Sequence, residues 1–279
     1  MRFRSSVATV VAGILVVHAL GGSALSAADT FDHQYRAYAK LLRAHVVDAR
    51  VDYARLKSNR TDLDEIVNEL GRVTSTQLDS WSRDEQLAFW INAYNVFTLQ
   101  AIVDHYPIEW QWRNLLTLTP LNSIRQIPGV WTELRWDVAG TRKTLDQIEH
   151  ETLRPLYQEP RIHVAVNCAS ISCPPISIEP YMGEHLDRQL ILAARDYLAS
   201  DLGLQVDGST LRLSSIFDWY GNDFIDDYAH LVEGSSERER AILGFVATYG
   251  PTEASQLGQS GNARIRYMRY DWALNDAEE

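Results

Sequence analysis

The sequence predicts an α+β fold: a single domain with a buried central helix packed on a small mixed or antiparallel sheet, after a helical N-terminal region. Three observations carry this. From Gln86 to Val103, eighteen residues pass without a formal charge in a helix-compatible stretch. Apolar residues alternate at period two at Ile162, Val164 and Val166, and again from Arg264 to Asp271. Helical patterns come first, and helices and strands then mix, with no internal repeat or low-complexity segment. The expected organisation is a signal peptide over 1–28 and one domain over 29–279, made of a helical extension (29–80) and a core (81–279).

Taken in order, Arg2 and Arg4 form a positive start, and Val7 to Leu20 an apolar run broken only by Gly13 and His18. Small residues through Ala24-Leu25-Ser26-Ala27-Ala28 then fit cleavage before Asp29. The run is short for a membrane span, and no cysteine nearby invites a lipid. The expected location is periplasmic or secreted, with no stable membrane span after cleavage. Phe31 to Lys57 reads as mostly helical, with apolar residues at three- and four-residue steps. Thr61 is placed to cap a second helix through Leu70, and Gly71 to stop it. Thr74 to Ser80 reads as a polar linker.

Ser82-Arg-Asp-Glu85 is a capping box that opens the central helix, Asp84 to about His105. Gln86, Asn92, Asn95, Thr98 and Gln100 mark it as a soluble core helix, because so many polar groups are costly in lipid. Pro107 ends it. Trp110 to Trp136 is irregular, and Val130 to Val138 holds a strand. Thr144 and Gln147 cap a helix that stops near Arg154, ahead of Pro155. Arg161 to Asn167 reads as a strand running into a Pro-stiffened loop. Beyond it come a helix from Gly183 to Ser200, a short strand at Leu211 and Leu213, a helix from Glu237 to Tyr249 ended by Gly250-Pro251, and a last strand from Arg264 to Asp271.

The formal net charge is −11, and it becomes −13 once Arg2 and Arg4 leave with the signal segment. So acidic a chain, without a basic run, disfavours nucleic acid as a partner. It favours an unknown peptide, glycan or small molecule. Eight tryptophans and thirteen tyrosines indicate a folded protein.

The loop after Asn167 carries the only two cysteines, Cys168 and Cys173, with Ser170 and Ser172 beside them. An oxidising compartment permits a disulfide between them, yet so short a loop staples a large core weakly. A cysteine activated by a histidine and an acid is a nucleophile for acyl transfer. In an unbroken strand His163 and Cys168 sit about 16 Å apart, so they meet only if the chain bends after Asn167. Cys173 can return toward the strand end, and either cysteine can instead meet His150. Glu149 projects close to the apolar stripe of Leu145, Ile148, Leu153 and Leu156, while His150 points away from its centre. A carboxylate there is paired with an arginine or functional. Asp218 is a second candidate acid. On the central helix Glu85, Asn92 and Asn95 share one side. Asn92 either belongs to a structural hydrogen-bond network or orients a histidine or an oxyanion. Zinc on both cysteines and a histidine is allowed by spacing, but no second ligand pair stands out, so no metal and no cofactor are expected.

Five segments also resemble a known family. They are Phe89-Trp-Ile-Asn-Ala-Tyr-Asn95, Leu145-Asp-Gln-Ile-Glu-His150, His163-Val-Ala-Val-Asn-Cys168 with Ser172-Cys-Pro-Pro175, Asp218-Trp-Tyr-Gly-Asn-Asp-Phe224 and Tyr270-Asp-Trp-Ala-Leu-Asn275. In this order they are similar to the family called domain of unknown function 547, or DUF547. The resemblance implies no settled reaction. Members joined to glutaredoxin-type modules leave a redox role open. Two functions are therefore expected as alternatives: a cysteine-dependent hydrolase or acyl-transfer enzyme, or a binding or dithiol/disulfide redox module.

Overall fold

The capping chemistry of the sequence sets where most helices begin. A computed structural model describes residues 31–109 and 119–277. The expected signal segment and residues 110–118 of the expected irregular stretch lie outside the described residues. In order, the N-terminal part holds α1 (Arg36–His45), the two-residue strands β1 (Val46–Val47) and β2 (Arg50–Val51), α2 (Tyr53–Ser58), α3 (Thr61–Arg72) and α4 (Ser75–Asp79). The continuous helix expected over Phe31–Lys57 is thus broken by a tight hairpin, with Asp48 and Ala49 both at positive φ. Thr61 begins α3 rather than capping it, and Gly71 lies inside that helix. A Cβ at Gly71 would come 3.2 Å from the Asp137 carbonyl oxygen, so the glycine serves close packing rather than termination. The expected linker Thr74–Ser80 contains α4, opened by a Thr74–Gln77 capping box.

The central helix α5 (Arg83–His105) starts at the Ser82–Glu85 capping box as the sequence predicts. It is buried on every side through most of its length, and α2, α3 and α6 (Leu145–Ile148) pack around it. Phe97 stacks on Trp136 with ring centroids 5.3 Å apart, and the Trp136 indole donates to Gln100 Oε1 at 2.7 Å. Trp136 belongs to a small antiparallel hairpin of β3 (Trp136–Val138) and β4 (Thr141–Lys143). Only the end of the expected Val130–Val138 strand is extended.

Two expectations fail in the segment that follows. The helix opened by the Thr144–Gln147 capping box does not stop at Arg154. It continues from Glu149 to Tyr157 in wider π-helical turns that carry Pro155 inside them. The stop rule assumes α winding, in which the proline ring meets the carbonyl four residues back. The widened winding also rotates the expected stripe, leaving Leu156 exposed while Leu145, Ile148 and Leu153 are buried. Nor is Arg161–Asn167 a strand. Pro160–Val164 is a 3-10 helix, with the Glu159 side chain accepting from the Arg161 amide. Residues 162–167 are all buried. His163 and Asn167 mimic strand alternation because they are polar groups inside the core, not because they face solvent.

Beyond the cysteine loop come α7 (Leu186–Ala199), β5 (Leu204–Asp207), β6 (Thr210–Leu213), α8 (Ser215–Tyr220), α9 (Ile225–Tyr228), α10 (Glu237–Tyr249), α11 (Thr252–Ser260) and β7 (Arg264–Tyr267). β5 and β6 pair antiparallel and β7 joins β6 in parallel, making a mixed three-stranded sheet. Its apolar face joins Phe217, Phe224, Phe245 and Tyr197 in a second core cluster. The whole is α+β in one domain. No helix among the described residues is long and apolar enough to cross a membrane.

Two asparagines tie α5 to the loops around it. Asn92 Nδ2 donates to the Tyr181 carbonyl at 2.7 Å and its Oδ1 accepts from the Tyr181 amide at 2.9 Å. Asn95 Nδ2 donates to the Ala165 carbonyl at 3.1 Å, and its Oδ1 accepts from the Asn167 amide at 2.8 Å. Replacing Asn95 with alanine strands two buried backbone groups, at about 1–3 kcal/mol each. The expected outcome for Asn95→Ala is a loss of about 3 kcal/mol or more in denaturant unfolding, with the slope against denaturant unchanged.

Candidate functional site

The cysteine loop owes its shape to side-chain amides. Asn167 Oδ1 accepts from the Ala169 amide at 2.8 Å, and its Nδ2 donates to the Pro174 carbonyl at 2.7 Å. Ala169 takes a left-handed conformation, φ 56°, immediately after Cys168. The C-terminal segment then pairs with the loop. The Ile171 amide donates to the Ala273 carbonyl, the Asn275 amide to Ala169, and the Asp271 amide to Ser172 Oγ. This sharp turn after Asn167 lets Cys168 and Cys173 share the wall of a cavity with His163, from a segment that is not extended at all.

The cavity measures about 430 Å³. Cys168 and Cys173, both free thiols, lie on one side of it. His150 and Glu149 enter from the start of the π-helical segment, together with Asp146. These three sit at positions i, i+3 and i+4, so one helix face delivers them together. Aromatic rings complete much of the wall: Tyr94, Trp131, Trp219, Tyr220, Tyr270 and Trp272.

The two sulfurs are 3.0 Å apart, with the Cys168 thiol donating to Cys173 Sγ, which also accepts from the Cys168 amide at 2.9 Å. Ser170 Oγ and the Tyr270 hydroxyl stand 3.2 and 3.3 Å from Cys168 Sγ. The hydrogen-bonded pairing with Cys173 does most to lower the Cys168 pKa; burial opposes it, and Ser170 and Tyr270 lower it further, leaving it below the ordinary thiol value. Burial, then the hydrogen bond to and the charge on Cys168, push Cys173 well above it. Cys168 is the half-buried sulfur and Cys173 the buried one. Of the two thiols Cys168 is the more readily ionised. No imidazole hydrogen-bonds to either sulfur among the described residues.

His163 is held from one side only. Its Nε2 lies 2.8 Å from Asp223 Oδ2, and its ring stacks on Tyr220 at 4.0 Å between centroids. Its Nδ1 is buried and has no hydrogen-bond partner. With the carboxylate accepting the Nε2–H, Nδ1 carries the lone pair, the tautomer of a base. Asp223 also receives Arg154 through two bonds of 2.6 and 2.8 Å. Burial alone would raise the Asp223 carboxyl; the hydrogen bonds from Arg154 and His163 outweigh it and hold the group below the ordinary carboxylate range.

Of the residues singled out by sequence, the structure brings Cys168, Cys173, His150, His163 and Glu149 to one cavity. His150 is a rim residue, half exposed, 3.1 Å from Arg154 and 3.8 Å from Asp146. Glu149 is buried and makes no ion pair with an arginine among the described residues; the Tyr220 hydroxyl hydrogen-bonds to it. Asn92 does not line the cavity. Both of its polar ends are committed to Tyr181, so it belongs to the structural network and not to an oxyanion or imidazole. Asp218 is also elsewhere, 3.3 Å from Arg238 on an exposed face. The acid hydrogen-bonded to His163 is Asp223, five positions further along the same segment. Nothing in local spacing links it to His163, sixty residues away. Among the described residues no group of three or more His, Cys, Asp or Glu is arranged to hold a metal ion.

Fold and cavity together define an α+β domain built around a paired thiol facing a histidine–aspartate couple. Residues 78–198 match the sequence model of the family described as Protein of unknown function, DUF547. No curated protein and no solved structure matches the chain. The matched segment includes both cysteines, Glu149, His150 and His163, and ends before Tyr220, Asp223 and Tyr270.

Alkylation by iodoacetamide, followed across pH by peptide mass spectrometry, is expected to label Cys168 with a midpoint below the ordinary thiol value of about 8.5. Cys173 stays unlabelled in the same range. Tyr270→Phe and Ser170→Ala each raise the midpoint. A second outcome concerns stability. An acid whose folded pKa is depressed contributes stability above its unfolded pKa and loses it as pH falls through the folded value. The contribution of Asp223 is therefore complete above about pH 5 and fades in the acid range below about pH 4. Unfolding of Asp223→Asn, followed from pH 6 to 2, should show a shallower acid limb than the parent.

Proposed function

We propose that the chain is an exported, cysteine-dependent hydrolase or acyl-transfer enzyme with Cys168 as nucleophile. The observation that carries this reading is one cavity holding both a thiol surrounded by hydrogen-bond donors and a histidine whose lone pair is bare. The Cys168 sulfur attacks the carbonyl carbon of an ester or amide, forming a C–S bond while the π electrons move to oxygen. On attack the proton of the Cys168 thiol passes to the bare Nδ1 of His163, and collapse of the adduct hands it to the departing alcohol or amine. Nδ1 then takes a proton from water or an acceptor hydroxyl, which attacks the thioester and releases Cys168. Asp223 keeps the Nε2–H in place and stabilises the imidazolium between the two steps. Export is part of the proposal: the Arg2–Ala28 segment directs the chain to the periplasm or beyond, and N-terminal mass analysis of exported protein should begin at Asp29.

Cys168→Ala should abolish turnover of an ester panel, and His163→Ala and Asp223→Ala should lower kcat about 100-fold or more with KM little changed. A thioester adduct at Cys168, seen as added mass that hydroxylamine removes, is the direct test. Full activity after alkylation of Cys168 ends the reading.

A specific observation favours a second reading, a dithiol/disulfide redox module. The sulfurs are 3.0 Å apart, and one is lowered and the other raised in pKa, the asymmetry of an attacking and a resolving thiol. Intact mass with and without reductant separates the two. A quantitative disulfide in freshly purified protein counts against a resting nucleophile; two free thiols count against a bridge.

A further inference from the structure

The walls of the cavity carry more information than its thiol. Trp219, Tyr270 and Trp272 form a continuous aromatic surface, with ring centroids between 4.6 and 5.7 Å apart. Trp131 extends it, 6.1 Å edge-on from Trp272. Trp219 is 47 % exposed, so the surface reaches the mouth. The guanidinium of Arg125 already lies over the Trp272 ring, 5.0 Å from its centroid. Asp146, Glu149 and Cys168 line the same cavity, with Cys168 Sγ 3.3 Å from the Tyr270 hydroxyl. Arg154, just outside, is neutralised by its two bonds to Asp223. With Cys168 as thiolate, the described lining holds three negative groups against the one cation of Arg125. His150, His163, Cys173 and the phenols of Tyr94, Tyr220 and Tyr270 are its other titratable groups. Glu149 in particular is a buried carboxylate with a hydroxyl but no cation beside it, which is costly unless something positive arrives. The space itself is near the lower end of small-molecule sites, roughly 300–1,000 Å³.

We propose that the cavity takes a small ester or amide that carries a protonated amine, seated on the Trp219–Tyr270–Trp272 surface and paired with Glu149, its carbonyl offered to Cys168 Sγ. The rings attract the cation through their faces, Glu149 supplies the counter-charge, and a carboxylate- or phosphate-bearing substrate is turned away by the same groups. The size of the cavity restricts the bound part to an aminoacyl group or its near equivalent. This proposal rests on the reading of Cys168 as the reacting thiolate and adds the class of compound that reaches it.

Charge-tagged thiol reagents test it without knowledge of the substrate. Rates of Cys168 labelling are measured with cationic 2-aminoethyl methanethiosulfonate and anionic 2-sulfonatoethyl methanethiosulfonate at about pH 8, where ordinary imidazoles are neutral. Each rate is divided by that of the same reagent on free 2-mercaptoethanol. The expected normalised preference for the cationic reagent is about tenfold or more, and Glu149→Gln should reduce it by about tenfold. Trp219→Ala should reduce it by a smaller factor. Equal normalised rates, or a preference untouched by Glu149→Gln and by Asp146→Asn alike, overturn the proposal and leave the thiolate reading standing. Failure of both reagents to label Cys168, in protein shown by mass to be reduced, removes the thiolate itself and both readings with it.

Discussion

The carboxamide of Asn95 is the contact on which the rest of the site depends. It sits in the middle of a helix with no charge from Gln86 to Val103, and it bonds the backbone on both sides of Val166. Those two bonds fix where the 3-10 segment ends and where the cysteine loop begins. Asn167 then repeats the device one level out, holding Ala169 and Pro174. Its Oδ1 also faces Asn275, which accepts from the buried Tyr53 hydroxyl at 2.8 Å. A chain of amides thus runs from the core helix to the thiols and on to the C-terminal segment. Amides suit this task because each offers a donor and an acceptor at fixed geometry and carries no charge to desolvate.

Where local chemistry decides the structure, the sequence is legible. The boundaries of α5 and α10, and the start of the helix at Thr144, follow from capping boxes, uncharged runs and a Gly-Pro stop, all within a few residues of the feature they define. The 161–167 segment is not legible in this way. Its alternation is genuine, but alternation signals a strand only when one face meets solvent, and here both faces meet protein. Pro155 misleads for a related reason, since the rule for proline presumes α winding and the chain leaves it at Glu149. π-helical turns of this kind are often found beside functional groups. Here the change of winding begins at the residue that carries the buried carboxylate.

The site divides along the same line. The cysteines, His163, Glu149 and His150 stand out because reactive residue types cluster near a turn. Their partners do not. Tyr220 and Tyr270 reach the cavity, and Asp223 the imidazole of His163, from the following hundred residues, through α8, the 3-10 turn after it and the segment behind β7. Asp218 and Asp223 share one stretch of sequence, and only folding decides that the first pairs with Arg238 and the second with His163. Asn92 and Asn95 look equivalent on the helix, yet one clamps the Tyr181 loop and the other the thiol loop.

The segment behind β7 also does something that residues 78–198 cannot do for themselves. It lies along the cysteine loop as an antiparallel bridge, Ser170 to Leu274, and along the N-terminal hairpin as a parallel one, Val51 to Asp276. A polypeptide trimmed to the region of family likeness would keep its sulfurs and its imidazole and lose the phenol, the aspartate and the strap that bind them into one chamber. The smallest piece that keeps the chamber whole is therefore fixed by which backbones pair, and it extends well past the stretch by which its kin are recognised.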